Sequence, residues 1–218
     1  ERLGPPTHLF RILANGCSVL PCCWVGLRSL RYWCCSPGPS GGTEVVAAEV
    51  LTWSAHLLPA TGRALDLACG RGGNALFLAQ RGLEVEGWDL NPEVLASLDE
   101  ESARLGLAVV TQLRDVEQNP PPPDSFAVIC VSHFLYRPIC AALVAALKPG
   151  GLLFYQTFTD ARLPESGGPR RSEYRLQPNE LLELFSPLQL ISYREEGLGG
   201  GLAKGWRNKA LLGGQKPA

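Results

Sequence analysis

The stretch Ala64-Leu65-Asp66-Leu67-Ala68-Cys69-Gly70-Arg71-Gly72-Gly73-Asn74 decides the fold class of this chain. It begins as a short apolar strand that contains one acid, and it passes through a glycine-rich turn into the start of a helix. Glycine tolerates a positive φ and lets a ligand come close to the backbone. In an open α/β sheet, ligands bind outside the carboxyl ends of the strands. The stretch therefore predicts a ligand-binding turn at the end of a buried strand.

The pattern of strand, turn and amphipathic helix repeats on both sides of this turn. Alternation of this kind predicts a parallel sheet with helices on both faces. Near the end, two strands follow each other without a helix between them, so they must be antiparallel. We predict an α/β, Rossmann-like, doubly wound seven-stranded sheet with five parallel strands and a C-terminal antiparallel hairpin. The predicted strands are 63–68, 83–88, 107–113, 126–131, 152–158, 188–195 and 204–212, and the predicted helices are 73–80, one opening at Asn91-Pro92, 139–147 and 179–185.

A cluster of helix-breaking residues, Pro37-Gly38-Pro39-Ser40-Gly41-Gly42, marks the predicted domain boundary. Residues 1–42 are expected to be an N-terminal extension, either disordered or the remnant of an upstream element. Residues 43–218 are expected to form one domain. Its first element is predicted to be a helix that starts at Thr43 and Glu44, because apolar residues then recur every three to four positions.

The composition favours an ordinary globular protein. Hydrophobic residues make up 45% of the chain, charged residues 19%, and the net charge is −1. This balance gives no indication of a nucleic-acid or membrane partner. The eight cysteines lack the spacing of a zinc site, so no metal is predicted. We expect a cytoplasmic monomer or homodimer with a small-molecule substrate.

Two kinds of nucleotide ligand fit the glycine turn. Gly70, Gly72 and Ala75 match the dinucleotide fingerprint, and Asp89, at the end of the second strand, could hold ribose hydroxyls in either case. Asp66, however, would repel a pyrophosphate but not a cationic amino acid or a sulfonium. Asp115, after the third strand, could accept a hydrogen bond from an adenine amino group. A nicotinamide-dependent oxidoreductase remains the alternative at this point.

Taken together, these motifs resemble the class I S-adenosylmethionine-dependent methyltransferases. The resemblance covers residues 43–214 and includes the turn Lys148-Pro149-Gly150-Gly151. It implies that Asp66 lies beside the methionine part of the cofactor, that Asp89 binds the ribose and that Asp115 binds the adenine amine. Ala68 departs from the glycine common in the family, which implies a tighter pocket. The implied cofactor-binding residues are Asp66, Ala68, Cys69, Gly70, Gly72, Asn74, Asp89, Leu90, Asp115, Val116 and Val131.

The second half of the chain resembles the tellurite-resistance type of small-molecule methyltransferase within that family. The similar segments are 151–157, 179–182, 193–196 and 206–210. Residues 159–178 depart from this type, so its substrate is not carried over. The resemblance implies an enzyme of the EC 2.1.1 type that converts S-adenosylmethionine to S-adenosylhomocysteine. The acceptor is expected to be a thiol, a chalcogen oxyanion or a small acid, and a non-catalytic cofactor-binding protein is a further alternative.

Residues after the fourth and fifth strands are expected to face the transferred methyl group. His133, Tyr136 and Arg137 are the predicted catalytic residues, and His133 is the one with an ordinary pKa near neutrality. The predicted substrate residues are Gln156, Thr157, Arg162 and Arg207. Arg162 belongs to an arginine-rich loop, 159–178, which is either a lid over a small anion or a solvated loop.

Overall fold

We describe the protein from a computed structural model, which describes residues 45–163 and 167–218. The predicted extension 1–42 and the predicted helix start at Thr43 and Glu44 lie outside the described residues.

Seven strands form one sheet in the order β3-β2-β1-β4-β5-β7-β6. Strands β1 to β5 pair in parallel, and β7 is antiparallel to both β5 and β6. The predicted fold, five parallel strands with a C-terminal antiparallel hairpin, is therefore confirmed. The strands are β1 (Arg63–Leu67), β2 (Glu84–Asp89), β3 (Val109–Leu113), β4 (Phe126–Ser132), β5 (Leu147–Phe158), β6 (Gln189–Glu195) and β7 (Lys209–Gln215).

Helices cover both faces of the sheet. They are α1 (Glu49–Trp53), α2 (Gly73–Ala79), α3 (Pro92–Leu105), α4 (Cys140–Ala146) and α5 (Glu180–Leu184), with short 3-10 turns at Ala55–Leu57, Arg137–Ile139 and Ser172–Tyr174. One apolar core lies between the sheet and helices α1, α2 and α3, and a second lies on the face of α4 and α5. Because β1 lies between β2 and β4, its carboxyl end is near the middle of the row of strand ends. This row, the carboxyl edge of the sheet, is hereafter called the edge.

The start of the domain differs from the predicted helix. Residues 45–48 are not helical, and α1 begins only at Glu49. The backbone N–H of Ala48 donates to Oδ1 of Asn74 at 2.8 Å, and that of Val50 donates to Oε1 of Gln156 at 3.0 Å. Side chains at the sheet edge thus bind the backbone donors at the start of α1. The chain crosses the edge in an extended path before α1 begins.

The last strand begins five residues later than predicted, at Lys209. The guanidinium of Arg207 donates to the carbonyl oxygens of Gly199, Gly201 and Lys204 at 2.5 to 2.7 Å. These bonds fold 199–207 into a loop, so the first part of the predicted strand, residues 204–208, does not join the sheet.

Among the described residues, no helix has the length and apolar character that a membrane crossing requires. Within the same residues, no group of three or more histidine, cysteine or acidic side chains is placed to hold a metal ion.

Candidate cofactor and acceptor site

The glycine turn between β1 and α2 has three residues in the left-handed backbone region. Ala68, Gly70 and Gly72 have φ values of 54°, 52° and 79°. A side chain on Gly72 would overlap Leu98 of α3 at 2.2 Å, so this glycine allows close helix packing. A side chain on Gly70 would meet nothing within 4 Å. The backbone at Gly70 therefore borders open space, as a ligand-binding turn requires.

Asp66 lies fully buried beneath this turn. One carboxylate oxygen accepts the amide of Asn74 at 3.1 Å, and the other accepts the backbone N–H of Ala75 at 3.0 Å. The acid thus holds the start of α2 against β1. Burial raises the pKa of Asp66 to about 7, although these two hydrogen bonds lower it. The same Asn74 amide donates to Ser132 at the end of β4, which links the two strand ends.

Asp89 ends β2 and faces the same turn. Oδ2 accepts the backbone N–H of Gly70 at 2.9 Å, and Oδ1 accepts that of Asn91 at 2.9 Å. A carboxylate oxygen accepts more than one hydrogen bond, so both oxygens keep capacity for a ligand hydroxyl. Leu90, beside it, is half-buried.

The third predicted acid lies further along the edge. Asp115 follows β3, is half-buried, and accepts the backbone N–H of Glu117 at 2.9 Å through Oδ1. Val116, the next residue, and Val131, in β4, are both buried in the apolar core on the face of α4 and α5. Cys69 is also buried, and burial raises the pKa of its thiol well above the usual range.

This donor set fits an adenosyl sulfonium. The backbone at Gly70 is open to the approach of a ligand, Asp89 offers acceptor oxygens to ribose hydroxyls, and the acids match a positively charged amino acid or sulfonium. Asp66, beneath the glycine turn, would oppose a bound pyrophosphate, whereas Asp89 fits the ribose of either ligand. The chemistry of these residues therefore favours S-adenosylmethionine over a dinucleotide.

On the other side of the edge, His133 follows β4 with a φ of 56°. Its backbone N–H donates to the carbonyl oxygen of Gln156 at 2.8 Å, and its ring lies 5.1 Å from that of Phe158. Burial, with a smaller contribution from nearby Lys209, lowers the pKa of His133 to about 4. The imidazole is therefore neutral at pH 7, whereas the sequence suggested titration near neutrality.

Gln156 and Thr157 are buried at the end of β5. The Gln156 side chain accepts the N–H of Val50 and donates to Glu49, so it joins the sheet to α1. Thr157 lies at the adjacent position of the strand, where alternation directs its side chain to the other face.

Arg137 is bound to the segment that follows β5. Its guanidinium pairs with Glu180 and donates to the carbonyl oxygens of Glu173 at 2.7 Å and Arg175 at 2.9 Å. The Glu180 carboxylate raises the pKa of Arg137. Contact with an acceptor would require some of these bonds to break. Tyr136, the residue before it, is half-buried against the core of α4 and α5.

The two remaining predicted substrate arginines also have protein partners. Arg162 bonds to Asp160, the Arg170 carbonyl oxygen and the Ser172 hydroxyl, and Arg207 bonds to three carbonyl oxygens of its own loop. Arg175, the fourth arginine of the predicted lid, is buried and donates to the carbonyl oxygens of Thr159, Gly167 and Pro169. These arginines thus bind their own loops in the structure.

Two charged residues that the sequence did not single out lie at the same edge. Glu49 of α1 and Lys209 of β7 form an ion pair at 3.3 Å, next to Gln156. They are 160 positions apart in the chain, so no local motif could have associated them.

The fold and the residues at the carboxyl ends of its strands are those of an α/β protein suited to an adenosyl cofactor. A family model described as a methyltransferase domain matches residues 64–151. The chain is 32% identical over 176 residues to a ubiquinone biosynthesis O-methyltransferase of Xanthomonas axonopodis pv. citri. The alignment covers 73% of this chain and 74% of that protein. It belongs to the class I S-adenosylmethionine-dependent methyltransferases, and its cofactor is S-adenosylmethionine.

A second relative agrees with the type suggested by the second half of the sequence. The chain is 29% identical over 144 residues to the probable S-adenosyl-L-methionine-dependent methyltransferase TehB of Haemophilus influenzae, covering 61% of this chain and 48% of that protein. The crystal structure of TehB from H. influenzae superposes with a TM-score of 0.62 at 24% identity, over 78% of this chain and 62% of that one. The resemblance to this type is therefore confirmed, and family membership removes the nicotinamide alternative.

Proposed function

We propose that this protein transfers the methyl group of S-adenosylmethionine to a small-molecule acceptor, namely a thiol, a chalcogen oxyanion or a small acid. The supporting observation is that one sheet edge carries both halves of such a site. The glycine turn with Asp66 and Asp89 lies on one side, and His133 with Gln156 lies on the other. The Xanthomonas relative is named as an O-methyltransferase, which agrees with an oxygen acceptor.

When bound, the cofactor supplies a methyl group on a positively charged sulfur. The chain then has to align the acceptor with that carbon and exclude water. His133 is neutral at pH 7, so its imidazole accepts a hydrogen bond from an acceptor hydroxyl or thiol and receives the proton as the new bond to the methyl carbon forms. A pKa of about 4 makes it a weak base, so this transfer accompanies methyl transfer and does not precede it. We assign Gln156 and Thr157 to the wall of the acceptor site. Tyr136, Arg137, Arg162 and Arg207 would act on the acceptor through the loops that they border or hold.

Calorimetric titration followed by an acceptor screen tests this function. S-adenosylhomocysteine is expected to bind, and NAD is not. Methyl-labelled cofactor is then offered with thiols, chalcogen oxyanions and small acids, including hydroxy acids. Transfer to a member of these classes supports the proposal. Cofactor binding without transfer to any of them would overturn the proposed acceptor classes, and it is the result that a non-catalytic cofactor-binding protein would give.

The variant His133→Asn distinguishes the acceptor classes. Asparagine tolerates the left-handed backbone of this position, so the turn should be kept. We expect kcat to fall at least about tenfold for an acceptor that must lose a proton, because proton transfer by a positioned group contributes that much or more. An oxyanion that is already deprotonated should react at an unchanged rate.

The exposed residue His56 supplies the matched control. His56→Asn should leave steady-state rates unchanged for every acceptor. If a hydroxyl or thiol acceptor reacts equally fast with His133→Asn and with the control, His133 has no role in proton transfer.

A further inference from the structure

The ion pair of Glu49 and Lys209 is built into the acceptor side of the sheet edge. Lys209 Nζ lies 3.3 Å from Oε1 of Glu49, and the other carboxylate oxygen accepts the Gln156 amide. Lys209 is the first residue of β7 and lies directly opposite Phe158 of β5. The pair therefore fastens α1 across the ends of two strands.

Gln156 connects this pair to His133. Its side chain bonds to Glu49 and to the backbone of Val50, while its carbonyl oxygen accepts the N–H of His133 at 2.8 Å. Gln156 is fully buried, and its bond to Val50 is buried with it, whereas its bond to Glu49 is partly buried. A continuous chain of hydrogen bonds thus runs from α1 to the residue at the end of β4.

Both charges of the pair also act on the His133 imidazole through space. Lys209 disfavours the protonated ring, Glu49 favours it, and the effect of Lys209 is the larger of the two. Phe158 packs against the His133 ring, and Arg175 lies over the same phenyl ring with its guanidinium 5.8 Å from the ring centroid. The pair is thus coupled to His133 by charge as well as by hydrogen bonds.

We propose that Glu49 and Lys209 are positioning residues for the acceptor site. They hold α1 over the ends of β5 and β7 and place two opposite charges near the ring of His133, which sets the electrostatic environment of the acceptor. This inference rests on the proposed function only in placing the methyl acceptor beside His133. The placement of the pair and its action on His133 are tested without any acceptor.

The test is an NMR titration of the histidine rings in the full chain, without cofactor or acceptor. The chain has three histidines, His8, His56 and His133, so single His→Gln variants assign the signals. Lys209→Met should raise the pKa of His133 by about one pH unit, because a nearby positive charge is lost. Glu49→Gln should lower it, and Lys209→Arg should restore the value of the unaltered protein.

The matched control is Lys216→Met. Lys216 also forms a lysine–carboxylate pair, with Asp124 at 2.8 Å, but it follows β7 at the opposite end of that strand. Its loss should leave the His133 titration unchanged. A purely structural role for the pair predicts the same direction of change in Lys209→Met and Glu49→Gln. Such a result, or no change in either variant, overturns the proposal.

The outcomes separate this inference from the proposed function. Opposite pKa changes in a protein that methylates no acceptor would support the positioning pair and count against the methyl-transfer proposal. An unchanged His133 titration in a protein that methylates an acceptor would overturn the positioning pair and support the methyl-transfer proposal.

Discussion

Replacing Asp89 with alanine is expected to weaken the binding of S-adenosylhomocysteine by about 100-fold or more. The carboxylate is the proposed acceptor for the ribose hydroxyls, and a hydrogen bond to a charged group contributes about 1.5 to 3 kcal/mol. Two such bonds account for at least about two orders of magnitude in the dissociation constant. The same side chain holds Gly70 and Asn91 through their backbone N–H groups, so its loss also loosens the glycine turn.

Calorimetric titration measures the effect, and two further variants separate its causes. Asp89→Asn keeps one acceptor oxygen and should lose less affinity than Asp89→Ala. Asp99→Ala, on α3, removes a carboxylate that bonds to Thr111 on the face of the sheet, and it should bind the ligand normally. If Asp89→Ala binds S-adenosylhomocysteine as tightly as the Asp99 variant, the ribose assignment is wrong.

The sheet could be predicted from the sequence because its determinants are local. Each parallel strand is a short apolar segment that ends at a turn, and the helices between strands begin at recognisable positions such as Asn91-Pro92. The Asn91 side chain indeed caps α3 by accepting the N–H of Glu93. Asp66 could also be recognised from local sequence, because it is the acid within the apolar strand Arg63–Leu67.

The two boundary errors lie where side chains bind the backbone and so decide its path. Asn74 and Gln156 bind the backbone N–H groups before and at the start of α1, so the apolar spacing from Val46 onward produces only a short helix. The loop before β7 is held by the three carbonyl contacts of Arg207. The Asn74 and Gln156 contacts join residues 26 and 106 positions apart, so no local window contains them. The Arg207 contacts are local, but hydrogen bonds to backbone carbonyl oxygens leave no distinctive pattern in the sequence.

The acceptor side was the harder part for the same reason. The sequence identified His133 as a histidine that follows a strand. Its lowered pKa, however, depends on burial and on Lys209, which is 76 positions away in the chain. Arg137 was visible as a cation, but its pairing with Glu180 comes from the packing of the segment after β5 against α4. Charge type could be predicted from the sequence, whereas charge partners required the fold.

Replacing Asp66 with asparagine is expected to change the pH dependence of both stability and cofactor binding. Burial raises the pKa of Asp66 from 3.8 to about 7 in the folded protein. Between about pH 4 and 7, the unfolded chain has therefore released this proton while the folded protein keeps it. The contribution of Asp66 to the free energy of unfolding therefore falls as pH rises through this window and is constant above it. Each pKa unit corresponds to about 1.4 kcal/mol, so the loss is on the order of 4 kcal/mol.

Asp66→Asn should lack this loss. The free energy of unfolding, measured by urea denaturation from pH 4 to 8, should decline less steeply in the variant than in the unaltered protein. Asp124→Asn is the matched control, because Asp124 is exposed at the opposite end of the sheet and its left-handed backbone accommodates asparagine. Identical slopes in the Asp66 variant and in this control would show that Asp66 is ionised throughout the range.

Cofactor binding should respond in the opposite sense, because the ionised carboxylate is the form that attracts a cationic ligand. In the unaltered protein, affinity for S-adenosylmethionine should rise as pH passes 7. In Asp66→Asn it should be about tenfold or more weaker at pH 8 and independent of the ionisation of this residue. S-adenosylhomocysteine lacks the sulfonium charge, so its affinity should fall less. Equal losses for the two ligands would mean that Asp66 acts only by holding Asn74 and Ala75 at the start of α2, rather than through its charge.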